Sequence, residues 1–323
     1  MMREDASVDR LMFEGTPTSS AGQYALSLSQ DELNEYSHNR EKWYRQRFAY
    51  PPDNPLIFVK WGGPDIHAEG DMQKLAWDWL EQERARTKCN IYIPEVYKIF
   101  RYKRRTFLLM QFVKATPIRW LFDGEDPFWL DHEDECDDIM AEAIELLSRM
   151  PVPGDATVGR YSSARTYFKH PIFKHHEACL IYKDVQEMED HFNRVAIIRF
   201  GMRPPPEIMT VNFRDEPLVY CYSDLQDENF LFEKDDNGRP RLWLVDFEHA
   251  AFLPISFLSH AVVRNRWYTT QPIQDRLTTL PQHNLPVMFG IQDIFGIAAS
   301  NIGFTQEQRD ELRRANVRHD IRT

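Results

Sequence analysis

Asp224-Leu-Gln-Asp-Glu-Asn229, followed seventeen residues later by Asp246-Phe-Glu248, places three oxygen-bearing side chains at the spacing of metal-assisted phosphoryl transfer. In that chemistry Asp224 orients a substrate hydroxyl and accepts its proton. Asn229 and Asp246 hold Mg²⁺ against nucleotide phosphates, because a hard cation takes oxygen ligands. The surrounding pattern supplies elements that bring the three together. Val219-Tyr220-Cys221-Tyr222 is a short apolar run leading into the loop that carries Asp224. Phe230-Leu231-Phe232 reads as a strand, Asn237-Gly238 as a tight turn, and Leu242-Trp243-Leu244-Val245 as the returning strand that ends on Asp246. Asp-x-x-x-x-Asn by itself is as easily a polar turn. The hairpin, which brings Asn229 and Asp246 to one edge, is what favours a site.

A second constellation lies upstream. Leu56-Ile57-Phe58-Val59-Lys60 is a continuous apolar strand that ends on a lysine. Met72, Leu75, Ala76, Trp79 and Leu80 then recur at the helical period, which predicts an amphipathic helix. Glu69 falls on the same face near the positive end of that helix, where it can pair with Lys60. Glu83 is the fallback partner.

These residues resemble the aminoglycoside phosphotransferase family, a branch of the protein-kinase-like fold. The run Asp246-Phe-Glu-His-Ala-Ala-Phe-Leu-Pro-Ile-Ser-Phe257, preceded by Tyr222-Ser-Asp224, looks most like fungal members. The resemblance covers roughly residues 55–260 and is specific in its C-terminal half. It implies an α+β, bilobal fold with a small antiparallel-sheet N-lobe and a mainly helical C-lobe. It assigns Asp224 as catalytic base, Asn229 and Asp246 as metal ligands, and Lys60 as the strand lysine on the α- and β-phosphates. It also makes Met110-Gln111-Phe112-Val113 the interlobe linker, whose backbone bonds the adenine edge. Departures are Tyr222 where the family usually has His, and Gln111 where many relatives carry Glu. Glu248 stands where protein kinases have Gly. No glycine lies between Gly22 and Gly62, so no Gly-rich loop precedes the Lys60 strand; the stretch Ser37-His-Asn-Arg40 is the substitute expected from sequence.

Composition bounds the partners. The 323 residues are 42% hydrophobic and 13% aromatic, enough for a substantial core, and carry a net charge of −11. Nucleic acid is excluded as an expected partner, since phosphate backbones need clustered positive charge. Acidic runs at 131–138, 187–190 and 224–228 suit a cationic acceptor, although the first two read first as solvated surface. Cys89, Cys136, Cys179 and Cys221 have no framework spacing and read as reduced thiols of a cytoplasmic protein. The charged Met1-Met-Arg-Glu-Asp start does not read as a signal peptide, and no apolar run reaches a membrane-spanning length. His170, His175, His176 and Cys179 match no zinc spacing and read as a solvated segment.

The expected organisation is a polar, partly disordered arm over 1–38, a nucleotide-binding N-lobe over 39–113, and a catalytic and substrate C-lobe over 114–323. In the C-lobe, helices are expected over 139–150, 178–200, 255–263 and 309–318, with Pro204-Pro-Pro206 punctuating before the catalytic segment. The expected activity is ATP- or GTP-dependent phosphotransfer to a small-molecule hydroxyl, with Mg²⁺. The alternative is a kinase-fold pseudoenzyme that holds a nucleotide or a partner without turnover.

Overall fold

The computed structural model describes residues 9–38, 46–124, 126–201, 210–264, 267–297 and 301–320, with side chains through residue 314. Asn39, Arg40 and Pro204-Pro-Pro206 lie outside the described residues. The fold is α+β, with an antiparallel-sheet N-lobe and a mainly helical C-lobe. Strand β1 (Arg10–Glu14), helices α1 (Ser20–Ser27) and α2 (Gln30–His38), and strands β2 (Arg47–Tyr50) and β3 (Ile57–Gly62) come first. Helix α3 (Pro64–Thr87), strand β4 (Ile91–Tyr92) and the hairpin β5 (Val96–Tyr102) and β6 (Arg105–Gln111) complete the N-terminal part. The sheet order is β1-β5-β6-β3-β2, antiparallel throughout.

Two expectations are corrected here. Residues 10–38 are not a loose polar arm: β1 is an edge strand, and α1 and α2 pack on the sheet through Ala25, Leu28 and Leu33. Nor do Ser37 and His38 cover a phosphate site. They end α2, where the buried Ser37 hydroxyl donates to the Asn34 carbonyl at 2.7 Å and accepts from Arg105 at 3.1 Å. Polar composition hid this segment, because only one side of each short helix needs apolar residues to bury.

Helix α3 begins with Pro64 at its first turn, where the missing N–H costs nothing, and ends on Lys88 in the left-handed conformation. Its buried face is Glu69, Gly70, Met72, Gln73, Ala76, Leu80 and Glu83. At Gly70 the helix comes so close to the sheet that an added Cβ would sit 2.6 Å from Ile99 Cδ1. Tyr92 joins β4, which pairs in parallel with a C-lobe strand rather than with the N-lobe hairpin.

After the linker come β7 (Thr116–Pro117) and helices α4 (Ile118–Asp123), α5 (Pro127–Asp131), α6 (Glu133–Ser148) and α7 (Val185–Phe200). Then β8 (Leu218–Tyr222), β9 (Phe230–Lys234), β10 (Pro240–Leu244) and β11 (Ala250–Pro254) lead into α8 (Ile255–Arg264), α9 (Thr270–Arg276), α10 (Leu285–Ile297) and α11 (Gln306–Asp320). The stretch 178–184 is not helical; α7 starts after Asp184, whose side chain caps it by accepting from the Glu187 amide at 2.8 Å. Strands β9 and β10 form the expected hairpin, with Gly238 at φ +74° in its turn and Asp235 accepting from the Asn237 and Arg239 amides, each at 2.9 Å. Among the described residues, no helix is long and apolar enough to cross a membrane.

The solvated reading of His170 is also corrected. It is fully buried, its Nε2 lies 3.0 Å from the Phe257 carbonyl, and its Nδ1 accepts from the Ile172 amide at 3.1 Å. It is a packing histidine joining the 168–178 loop to α8.

Helix α3 is joined to the C-lobe through Tyr220 of β8, a fully buried ring whose hydroxyl donates to the Met72 carbonyl at 2.8 Å. Tyr220→Phe should lower stability by about 0.5–1.5 kcal/mol, the net worth of one such hydrogen bond, as read by chemical denaturation. An unchanged midpoint would show that this contact does not tie α3 to β8.

Candidate active site

The site is built around one ammonium group. Lys60, on β3, lies 2.5 Å from Glu69 Oε1 on α3 and 2.9 Å from Asp246 Oδ1 at the end of β10. Strand, helix and hairpin therefore meet at a single buried cation. Burial works against a charged Lys60, but Glu69 and then Asp246 outweigh it and hold its proton above the ordinary lysine range. For Glu69, burial wins over the attraction of Lys60 and raises its proton affinity. Burial also opposes the charge on Asp246. Lys60 and then Arg47 overcome it, so Asp246 stays below the usual carboxylate range. Glu83, the fallback partner, pairs with Arg86 instead.

Asp246 sits at φ +63°, ψ +77°, a left-handed conformation that a non-glycine residue holds only where its surroundings enforce it. Those surroundings are on either side of it. The Val245 amide donates to the Asn229 carbonyl at 3.1 Å, and the buried Tyr222 hydroxyl donates to the Val245 carbonyl at 2.5 Å. Phe247, fully buried, packs edge-on to the Tyr222 ring at 5.2 Å. Tyr222 thus anchors the chain just before Asp246.

The loop from Asp224 to Asn229 is closed by the Asn229 side-chain amide, which donates to the Asp224 carbonyl at 3.0 Å. The buried Thr269 ties it from outside, donating to the Leu225 carbonyl at 2.5 Å and, through its amide, to Asp227 at 3.2 Å. Ser223 donates to the His249 carbonyl at 3.1 Å. Burial, and then the charge on Asp246, push the Asp224 carboxyl up to about 6, against hydrogen bonds from Asn229 and Gln226. A carboxyl poised there is ionised at neutral pH and still basic enough to take a hydroxyl proton.

The linker is partly used by the fold itself. The Gln111 amide donates to the Glu95 carbonyl at 2.9 Å, and the Phe112 amide to the Leu56 carbonyl at 3.3 Å. Among the described residues, none accepts from the Val113 amide, which leaves Val113 as the linker residue with a free donor.

Oxygen donors at Asn229 and Asp246 fit Mg²⁺, which takes one or two protein oxygens and completes its shell with water and phosphate. Among the described residues, no cluster of three His, Cys, Asp or Glu could hold a metal by itself. The acids of 131–138 lie mostly on the solvated surface, as expected, where Arg276 reaches Asp134, Asp137 and Asp138, and Arg239 reaches Glu135.

Two residues at the site carried no sequence signal. Arg47 Nη1 lies 3.2 Å from Asp246 Oδ2. Arg160, with its side chain only 1% exposed, bonds Asp65 at 3.0 Å and also the Glu248 carbonyl, so it links the first turn of α3 to the segment after Asp246. Both depend on contacts across more than eighty positions, which local spacing does not encode.

No protein-family model matches the chain, and no curated protein matches it in sequence. It is similar to solved aminoglycoside phosphotransferases. A GDP complex of aminoglycoside 2′-phosphotransferase-IIIa is 13% identical with a TM-score of 0.44, over 83% of this chain and 88% of that one. APH(4)-Ia is 12% identical with a TM-score of 0.44, over 82% and 90%. APH(3″)-Id from Streptomyces rimosus, solved with ADP and streptomycin, is 11% identical with a TM-score of 0.38, over 84% and 100%.

Two measurements test the electrostatics. Lys60→Met leaves two carboxylates facing each other without their cation and should cost about 3–5 kcal/mol at pH 7 by denaturant unfolding. A loss below about 1 kcal/mol, the range of an exposed ion pair, would show that the group is solvated. Asp224→Asn should stabilise the protein. Folding raises the Asp224 pKa from 3.8 to about 6, so its ionisation removes stability as pH rises through that window. The variant's gain should therefore be full at pH 7.5 and shrink toward zero by about pH 4. A gain independent of pH would contradict the raised pKa.

Proposed function

We propose that this protein transfers the γ-phosphoryl group of a nucleoside triphosphate, ATP or GTP, to a hydroxyl of a small molecule. The observation that carries this reading is the Asp246 carboxylate. It is fixed by Lys60 beside Asn229 and stands in the electrostatic field of a second carboxyl, Asp224, whose proton affinity is tuned to about 6. A purely structural ion pair needs no such neighbour.

Asp224 accepts the hydroxyl proton as the acceptor oxygen bonds to the γ-phosphorus and the bond to the β,γ-bridging oxygen breaks, releasing nucleoside diphosphate. Lys60, held by Glu69, sets a positive charge where the α- and β-phosphates lie. Asn229 and Asp246 would hold Mg²⁺, which neutralises phosphate charge. Val113 offers its backbone to the base, with Gln111 and Phe112 fixing the linker. In this reading residues 39–113 form the nucleotide-binding lobe, and residues 114–323 carry the catalytic and metal-binding groups and the acceptor site. Catalysis is positioning and charge neutralisation, with little covalent chemistry asked of the protein. The acidic loop 224–228 favours a cationic acceptor.

Asp224→Asn keeps shape but removes the base. Phosphoryl transfer, measured with labelled ATP on the best acceptor from a panel of metabolite alcohols, should fall by about 10²–10⁴, with nucleotide affinity little changed. Wild-type transfer should decline as pH drops below about 6, as Asp224 takes up its proton. Equal turnover by the variant would make Asp224 structural. Nucleotide binding without turnover on any acceptor would favour the pseudoenzyme. Asp246→Ala should weaken Mg²⁺–nucleotide binding in calorimetry; unchanged affinity would remove Asp246 from the metal site.

A further inference from the structure

Asp246 is held by two cations, one on each oxygen: Lys60 on Oδ1 and Arg47 on Oδ2. The register of β2 on β3 explains how. Arg47 is the direct cross-strand partner of Lys60, and the Trp61 amide pins the start of β2 by donating to the Gln46 carbonyl at 2.9 Å. Directly opposed residues in an antiparallel pair share a face, and two like charges there repel unless an anion lies between them. Here Asp246 is that anion. His249, which also faces Asp246, brings no charge, because burial pushes it down to about 3.

The geometry points to Arg47 as a phosphate-binding residue of the nucleotide site, taking by side chain the role that a glycine-rich loop takes by backbone. This rests on the phosphotransfer reading above. Such loops cradle phosphate with main-chain amides that only glycine lets approach. The 39 residues between Gly22 and Gly62 contain no glycine, yet the same region places a guanidinium beside Lys60. The Arg47 side chain is 42% exposed against 15% for Asp246, so the guanidinium end of the pair is open to solvent and free to exchange its partner. Arginine stays charged at any working pH and needs an acceptor wherever it moves. When Asp246 turns an oxygen to a metal, a triphosphate beside Lys60 is the anion within its reach. Arg47 thus exchanges one anion, Asp246, for another, the phosphate.

Calorimetric titration of wild type, Arg47→Ala and Arg47→Lys with adenosine and with ATP in excess EDTA tests this without turnover or metal. Arg47→Ala should lose about 10- to 100-fold in ATP affinity, the worth of a charge-assisted hydrogen bond, and nothing in adenosine affinity. Arg47→Lys should fall between. A loss for ATP below about fivefold, which an exposed ion pair accounts for, would overturn the assignment. So would an equal loss for adenosine, which would make Arg47 a strand residue only. Wild type that binds ATP neither in EDTA nor with excess Mg²⁺ would instead bring down the phosphotransfer reading itself, and this role with it.

Discussion

A buried ammonium cannot stand alone, and much of this structure follows from how Lys60 is satisfied. Taking a lysine out of water costs several kcal/mol unless carboxylates surround it. Lys60 meets two, one from a helix and one from a distant hairpin. To bring Glu69 within reach, α3 must lie close on the sheet, and Gly70 permits that approach. To bring Asp246 within reach, the β9–β10 hairpin must face the N-lobe sheet edge, and β4 fastens it there by running parallel to β10. The two lobes are thus held in register by charge at the cleft and by Tyr220 behind it.

The same arrangement tunes Asp224. It is desolvated by burial and lies in the field of a carboxylate that Lys60 and Arg47 keep ionised. One acid is pulled down and its neighbour pushed up, which separates a ligand from a base without any change of residue type. The supports of the loop, Thr269 and Ser223, are ordinary hydroxyls. Their role comes from where they are buried.

Local features were legible in the sequence. Strand periods, the Asn237-Gly238 turn and the helical phase of Glu69 each depend on neighbours a few residues apart, and the structure places them as the spacing predicts. What was not legible is tertiary. Nothing local shows that Arg47 opposes Lys60, that Arg160 crosses to Asp65, or that β4 pairs with β10. Residues 10–38 read as a loose arm because helices so short and polar gain most of their stability from the sheet they cover, not from their own propensity. His170 misread for a related reason: its charged neighbours Lys169 and Lys174 set the local composition, while its own partner comes from α8.

The most direct test of the account is a crystal structure with Mg²⁺ and a non-hydrolysable ATP analogue. The account requires metal at about 2.0–2.1 Å from oxygens of both Asp246 and Asn229. It also requires Lys60 on the α- or β-phosphate, still paired with Glu69. Nucleotide bound elsewhere, or metal held without Asp246, would contradict it.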